Sequence, residues 1–103
     1  MKFNLIRYRF KTGSPEEWHK EIARFVAALD ADPDLRHKIS YRAMKAEEGD
    51  EYFHLAVAED QQAVKDLAGR DYFTRYTEKT DLVSGGGVEV LPLDVVAETK
   101  HQA

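Results

Sequence analysis

Cysteine is missing from this 103-residue chain, and so is any long uninterrupted run of apolar residues. Without cysteine the chain has no disulfides, no thiolate metal ligands and no cysteine nucleophile. The first segment, MKFNLIRYRFK, carries Lys2, Arg7 and Arg9 among its apolar residues, so it is neither a signal peptide nor a membrane span. We therefore expect no membrane partner and a cytoplasmic location.

The chain also lacks a strong excess of either positive or negative charge. The 15 basic and 19 acidic residues are interspersed and give a formal net charge of -4, so no basic stripe for nucleic acid is present. The four histidines, His19, His37, His54 and His101, are scattered without metal-ligand spacing. The glycine run Gly85–Gly87 lacks the rest of a phosphate-loop pattern. We expect no nucleic acid partner and no metal.

The composition is that of one folded domain, since 43% of the residues are hydrophobic and 33% are charged. A chain of this length forms a single core but buries its surface less completely than larger domains do. Self-association would therefore be unsurprising.

A strand followed by a helix opens the predicted fold. Apolar residues alternate over Lys2–Lys11 and lie on both faces of that strand. Ser14, Pro15 and Glu17 have the spacing of a helix N-cap, a first helical position and a capping box. An amphipathic helix follows and ends at Asp32-Pro33.

The second half of the chain predicts a hairpin, a helical region and a last strand. Strands over Leu35–Ala46 and Asp50–Glu59 are joined by a three-residue loop, Glu47-Glu48-Gly49. The helical region covers Gln61–Leu82 and should be kinked or divided at Gly69, because glycine is costly inside a helix. The last strand covers Val88–Ala97.

Pro92 falls within that last strand, and a proline that cannot donate to the ladder favours an edge position. Residues 1–98 are thus predicted to form one domain, with a loose tail at 99–103. The element order β-α-β-β-α-β predicts an α+β, ferredoxin-like fold: one antiparallel sheet with both helices on one face. The other face of the sheet is left uncovered.

The three-residue loop predicts which side chains share a face, because it sets Arg42 opposite His54 and Ser40 opposite Ala56. Under this register the more apolar set lies beneath the helices: His37, Ile39, Tyr41, Ala43, Phe53, Leu55 and Val57. The uncovered face holds Lys38, Ser40, Arg42, Met44, Tyr52, His54, Ala56 and Ala58, with Phe3, Leu5, Arg7 and Arg9 from the first strand. Such a face mixes apolar, aromatic and cationic groups.

The segments LRHKISYRAM, FHLAVAED, YFTRYTEKTDLVSGG and VEVLPL, in this order over nearly the whole chain, resemble the dimeric α/β-barrel superfamily. Within it they are similar to the antibiotic biosynthesis monooxygenase type of domain. The resemblance implies a homodimer whose sheets close a barrel around a cavity. It also implies oxidation of a small hydroxylated aromatic or quinol by O2 with no cofactor. Where the family carries a Glu and a Trp on the third strand, this chain has Ala56 and Ala58.

His54 is the predicted catalytic residue, as a base toward a phenol, because its ordinary pKa suits neutral pH. Arg42 opposite it should keep the imidazole neutral. The alternative is a half-exposed histidine that hydrogen-bonds across the dimer. The predicted substrate-binding residues are Arg7, Arg9, Arg42, Tyr52 and Ser40. For the arginines, the alternative is salt bridges or solvent at the barrel rim.

Two functions of different classes follow. The first is a cofactor-independent monooxygenase; the second is a non-catalytic ligand-binding or dimer-assembly module, which Ala56 and Ala58 favour. Tyr72, Phe73 and Tyr76 are expected to pack, although in this fold the second helix can wall the mouth of the cavity.

Overall fold

The structure, a computed structural model, describes residues 1–101. Its elements are β1 (Lys2–Arg9), α1 (Pro15–Asp30), β2 (Ile39–Lys45), β3 (Glu51–Ala58), α2 (Gln61–Ala68), α3 (Asp71–Ser84) and β4 (Glu89–Leu93). The four strands form one antiparallel sheet in the order β2-β3-β1-β4. The predicted α+β, ferredoxin-like fold is confirmed, and the predicted helical region is divided into α2 and α3.

Helix α1 begins as its sequence predicts. The Ser14 side-chain oxygen accepts a hydrogen bond from the Glu17 backbone N–H at 3.4 Å, and Pro15 occupies the first turn. Its buried side chains recur at helical spacing and face the sheet: Trp18, Ile22, Phe25 and Leu29. This stripe forms most of the helix side of the core.

The segment before β2 is a turn and not the start of a strand. Arg36 N–H donates to the Asp32 carbonyl at 2.9 Å, and Ile39 N–H donates to the Leu35 carbonyl at 3.0 Å. These local hydrogen bonds occupy the backbone groups that a strand would need for pairing. In this turn the Leu35 side chain is completely buried. Strand β2 therefore begins at Ile39, four residues later than predicted.

The helical break and the edge strand are both confirmed. Helix α2 ends at Ala68, with Gly69 as its C-cap, and α3 begins at Asp71. Strand β4 pairs only with β1, which places Pro92 on an edge. It ends at Leu93, where the predicted strand continued to Ala97, because Leu93 pairs with Phe3 at the very start of β1. The division into a domain at 1–98 and a tail at 99–103 stays a prediction, and residues 102 and 103 lie outside the described residues.

The predicted register of the hairpin is wrong by one residue. Ala46 N–H donates to the Glu51 carbonyl at 2.9 Å, so the connecting loop has four residues, 47–50, where three were predicted. Gly49 takes a positive φ of 94° within that loop. Ala43, not Arg42, therefore pairs with His54.

This shift turns every side chain of β3 to the other face of the sheet. The residues Tyr52, His54, Ala56 and Ala58 lie beneath the helices, where the uncovered face was predicted for them. Phe53, Leu55 and Val57 lie on the uncovered face instead. The placement of Ser40, Arg42 and Met44 on the uncovered face is confirmed, as is that of Phe3, Leu5, Arg7 and Arg9.

Candidate functional site

A cavity of about 550 Å³ lies between the helix-facing side of the sheet and the layer formed by α2 and α3. Most of its wall is apolar: Ile6, Ile39, Ala56, Ala58, Val64, Leu67, Ala68, Phe73, Val88 and Val90. Its polar lining residues are Asn4, Tyr41, His54, Tyr76, Thr77, Thr80 and Asp81. Ligand cavities in proteins typically have roughly 300–1,000 Å³ and a mostly apolar wall with a few polar groups. This space has the size and character of a small-molecule site.

His54 lies at the wall of this cavity with no exposed surface, and three tyrosines surround it. Its Nδ1 atom is 2.6 Å from the Tyr41 hydroxyl and 2.9 Å from the Tyr76 hydroxyl. Its Nε2 atom is 2.9 Å from the hydroxyl of Tyr8, which also accepts a hydrogen bond from Trp18 Nε1–H at 2.9 Å. The Tyr41 and Tyr76 hydroxyls are 2.9 Å apart. We call His54, Tyr8, Tyr41 and Tyr76 the histidine–tyrosine cluster.

Burial keeps all four members of this cluster uncharged. It lowers the pKa of His54 from 6.5 to about 4, because the imidazolium would be desolvated. The same desolvation raises the pKa values of Tyr8, Tyr41 and Tyr76 well above 10. His54 is therefore a neutral imidazole at neutral pH, as predicted, but the cause is burial and not Arg42, which lies on the other face of the sheet.

Aromatic packing fixes the orientation of Tyr76 and Tyr41. The Tyr76 ring stacks on Phe25 at a centroid distance of 4.0 Å and on Trp18 at 5.8 Å. Phe25 also meets the edge of Tyr41 at 5.0 Å. Because these rings come from α1, α3 and β2, the hydroxyls of the cluster are held by the core itself.

The only charge in the wall of the cavity, as far as the structure describes the chain, is negative. Within residues 1–101, Asp81 is the only charged residue that lines it, and no lysine or arginine does. Asp81 is exposed, near the end of α3, where its backbone carbonyl accepts a hydrogen bond from Gly86 N–H at 2.9 Å.

Four of the predicted substrate-binding residues, Arg7, Arg9, Arg42 and Ser40, are separated from His54 by the sheet. Arg7 Nε is 3.3 Å from a carboxylate oxygen of Glu51. A guanidinium nitrogen of Arg9 is 2.8 Å from a carboxylate oxygen of Asp50. Both arginines line a separate cleft of about 180 Å³. Their roles stay predictions, but they do not share the cavity of the histidine–tyrosine cluster.

Tyr52 does lie on the helix side, where its hydroxyl is 2.7 Å from His19 Nε2. It stacks on Tyr8 at a centroid distance of 5.2 Å but does not line the large cavity. Its predicted role in substrate binding also stays a prediction.

The tyrosines of the cluster were not predicted as partners of His54. Tyr41 was placed correctly on the helix side, and Tyr76 was expected to pack on a helix that can wall the mouth of the cavity. A signal was nevertheless available: a buried tyrosine needs a partner for its hydroxyl, and several helix-facing tyrosines in one small domain indicate a shared polar group.

Two features are absent from the described part of the chain. Residues 1–101 contain no group of three or more His, Asp or Glu side chains arranged to hold a metal ion. No helix in that range has both the length and the apolar character needed to cross a membrane.

The protein is a ferredoxin-like domain with an open cavity, and its structural neighbours are antibiotic biosynthesis monooxygenases and a dimeric ferredoxin-like protein. The chain is similar to SnoaB, a cofactor-independent oxygenase from Streptomyces nogalater, with a TM-score of 0.74 and 15% identity over 97% of this chain and 98% of that one. An antibiotic biosynthesis monooxygenase gives a TM-score of 0.76 with 14% identity over 94% and 100% of the two chains.

A dimeric ferredoxin-like protein of unknown function from Jannaschia sp. CCS1 gives a TM-score of 0.66 with 18% identity over 92% and 100%. At these identities the similarity establishes the fold alone. No family model matches the sequence, and no curated protein is significantly similar to it.

Proposed function

We propose that the protein is a cofactor-independent monooxygenase that oxidises a small hydroxylated aromatic or quinol in the cavity between sheet and helices. The observation that carries the proposal is an apolar cavity of about 550 Å³ that has hydrogen-bonded phenols and an imidazole in its wall. Its fold, shared with a cofactor-independent oxygenase, supports the same reaction class.

The reaction needs no external reductant, because the substrate supplies all four electrons. A deprotonated phenol transfers one electron to O2, and the two radicals combine to form a carbon–oxygen bond. The resulting peroxide loses its outer oxygen as water and leaves a quinone. One atom of O2 thus ends in the product and the other in water. What the protein must provide is a dry site that stabilises the phenolate oxygen.

The phenols of Tyr41 and Tyr76 fit that task, because they line the cavity and stay protonated. His54 acts through them and not as the final acceptor of the substrate proton. With a pKa of about 4 it lies some six pKa units below an ordinary phenol, so full transfer would cost roughly 8 kcal/mol. We therefore assign His54 the role of orienting the tyrosine hydroxyls, while the substrate proton passes to solvent, to which the cavity is open.

Oxygen uptake with a panel of quinols and hydroxynaphthalenes tests this function. We expect wild-type protein to exceed the uncatalysed rate with at least one member and to transfer one labelled atom of O2 to the product. Tyr76→Phe should reduce the rate roughly 100-fold if it removes an oxyanion donor.

Tyr72→Phe is the matched control on the same helix, because its hydroxyl donates to Asp32 at 2.6 Å and does not line the cavity. Background rates across the whole panel would refute the proposal, as would equal losses in the two variants.

A non-catalytic binding module is the second candidate. Ala56 and Ala58 line the cavity, and the lining residues among 1–101 include no cation to hold an anionic intermediate. This function predicts ligands that raise the melting temperature by mass action without consuming oxygen. Thermal shift and oxygen uptake on the same panel separate the two functions.

We further propose that a second copy of the chain covers the uncovered sheet face. Phe3, Leu5, Phe53, Leu55 and Val57 are only half-buried there, and Met44, Leu91 and Leu93 are 41%, 39% and 43% exposed. An apolar surface of this kind favours a partner. The last strand would then meet the partner's second strand, since both are sheet edges. In such a dimer Arg7, Arg9, Arg42 and Ser40 would face the space between the two sheets.

Sedimentation tests the dimer. We expect a dimer at micromolar concentration, and Leu55→Asp should dissociate it. Leu82→Asp should not, because Leu82 is 68% exposed on α3, away from this face. A stable, folded wild-type monomer would contradict the proposal.

A further inference from the structure

The Tyr8 hydroxyl has two hydrogen-bonding neighbours, and only one of them can accept its hydrogen. Tyr8 is 2% exposed, and within residues 1–101 its hydroxyl contacts only Trp18 Nε1 and His54 Nε2, each at 2.9 Å. Indole N–H is a donor only, so Nε2 must be the acceptor. The opposite arrangement would leave a buried hydroxyl hydrogen unpaired, which favours acceptance at Nε2 roughly 5- to 150-fold, the equivalent of about 1–3 kcal/mol.

This contact fixes the tautomer of His54. A neutral imidazole that accepts at Nε2 carries its hydrogen on Nδ1. Nδ1 is 2.6 Å from the Tyr41 hydroxyl and 2.9 Å from the Tyr76 hydroxyl, so it donates to these two groups, which we call the tyrosine pair. One hydrogen of the pair joins its two hydroxyls, which are 2.9 Å apart. The other has no acceptor among the described residues and is free to point into the cavity, which both tyrosines line.

The other tautomer of His54 would present the opposite polarity to the cavity. With the hydrogen on Nε2, Nδ1 would accept one hydrogen of the tyrosine pair, and the second hydrogen would join the two hydroxyls. No hydrogen would then remain for the cavity, which would face only oxygen lone pairs. A phenolate oxygen is stabilised by donors, so only the first tautomer suits the proposed reaction.

We propose that Tyr8 is a positioning residue, because its hydrogen bond to His54 fixes the polarity of the hydrogen bonds that the tyrosine pair presents to the cavity. Tyr8 itself does not line that cavity. Trp18 contributes by occupying the other side of the Tyr8 hydroxyl with a group that cannot accept. The inference rests on the proposed function, in which the free hydrogen of the pair stabilises the substrate oxygen.

Nitrogen NMR of the His54 ring tests this inference without a ligand. In the wild type at neutral pH we expect Nδ1 to have the chemical shift of a protonated nitrogen and Nε2 that of an unprotonated one. In Tyr8→Phe, Nε2 is unpaired in either tautomer, so the two populations should become comparable and the two shifts should converge. Tyr52→Phe is the matched control: Tyr52 pairs with Tyr8 across the sheet, but its hydroxyl contacts His19 and not His54. It should keep the wild-type shifts.

The wild-type spectrum alone can overturn the inference, because protonation at Nε2 would contradict the first step whether or not any variant folds. Unchanged shifts in a folded Tyr8→Phe variant would also overturn it. So would a change of the same size in Tyr52→Phe, since it would show that loss of any nearby hydroxyl disturbs the ring.

Oxygen uptake separates positioning from a general loss of packing. With a quinol or hydroxynaphthalene that the protein oxidises, Tyr8→Phe should lower kcat roughly 2-fold or more, because the donor orientation is no longer dominant. In a variant with both Tyr41→Phe and Tyr76→Phe, adding Tyr8→Phe should lower the remaining rate no further, because Tyr8 acts through the tyrosine pair. A further loss of the same size there would refute the positioning role. A wild type with the expected shifts that oxidises no member of the panel would refute the oxygenase function and leave the control of polarity by Tyr8 standing.

Discussion

Acid should destabilise this protein in a pH range set by one buried histidine. The pKa of His54 is about 4 in the folded state and 6.5 when exposed, so below pH 6.5 the unfolded chain binds the proton more readily. The stability that the neutral ring provides is complete above about pH 6.5 and is lost as the pH falls toward 4. At about 1.36 kcal/mol per pKa unit, the whole effect is about 3 kcal/mol, and about 2 kcal/mol is lost between pH 7 and pH 5.

This range is free of competing titrations in the core. The groups that face His54 from β1, β2 and α3 are the phenols of Tyr8, Tyr41 and Tyr76, which stay protonated throughout. Asp32, a buried carboxyl, has its pKa lowered to about 2, chiefly by the Arg70 hydrogen bond, and titrates well below pH 5.

Urea unfolding between about pH 7 and about pH 5 measures the effect. A loss of about 2 kcal/mol should lower the midpoint by roughly 1 M at an m-value of about 1–3 kcal/mol per M. His54→Gln removes the titrating ring, so this variant should be less stable at pH 7 but lose less stability on acidification. His37→Gln, at an exposed histidine, should keep the wild-type slope. Identical slopes for wild type and His54→Gln would refute the reasoning.

Two further predictions use matched pairs of variants and the same unfolding assay at neutral pH. Arg70→Ala should destabilise the protein clearly, because it removes the 2.8 Å hydrogen bond that is the main cause of the lowered pKa of buried Asp32; Asp34→Ala, at a 3.4 Å contact with a carboxylate side chain 79% exposed, should have a much smaller effect. An Asp34→Ala loss as large as that of Arg70→Ala would contradict this. Gly85→Ala should cost about 1 kcal/mol, because Gly85 ends α3 with φ 65°, whereas Gly69→Ala should be near neutral, because φ there is -85°. Equal effects of the two substitutions would show that the backbone conformation is not the cause.

Local signals in the sequence were sufficient to predict the fold. The spacing of Ser14, Pro15 and Glu17 located the start of α1, and Gly69 located the division between α2 and α3. Such signals depend on a few neighbouring residues, so they survive without knowledge of the tertiary structure. The start of β2 could not be predicted in this way. Leu35 lies in a turn and is completely buried, and this burial is a tertiary effect.

The candidate site depended on a single residue of loop length. Gly49 was taken as the last residue of a three-residue loop, but it is the third of four, and both loops accommodate a glycine with positive φ. Because side chains alternate along a strand, this one-residue difference moved His54 from one face of the sheet to the other. The three tyrosines around it could then not be recognised as its partners.

Hydrophobicity could not correct the register, because both faces of β3 carry apolar side chains. Phe53, Leu55 and Val57 are more apolar than the set that alternates with them, and ranking the two sets by hydrophobicity therefore placed the wrong one under the helices. The set containing His54 is compatible with the core because its polar atoms are hydrogen-bonded. The two ring nitrogens of His54 contact the hydroxyls of three tyrosines. Among the described residues, no buried side-chain polar atom lacks a hydrogen-bond partner. The outer face of β3 has no such polar network, and it is the face that the proposed dimer would cover. The apolar side chains on both faces, which support that proposal, are also the reason why β3 lacks the alternation from which its register could have been read.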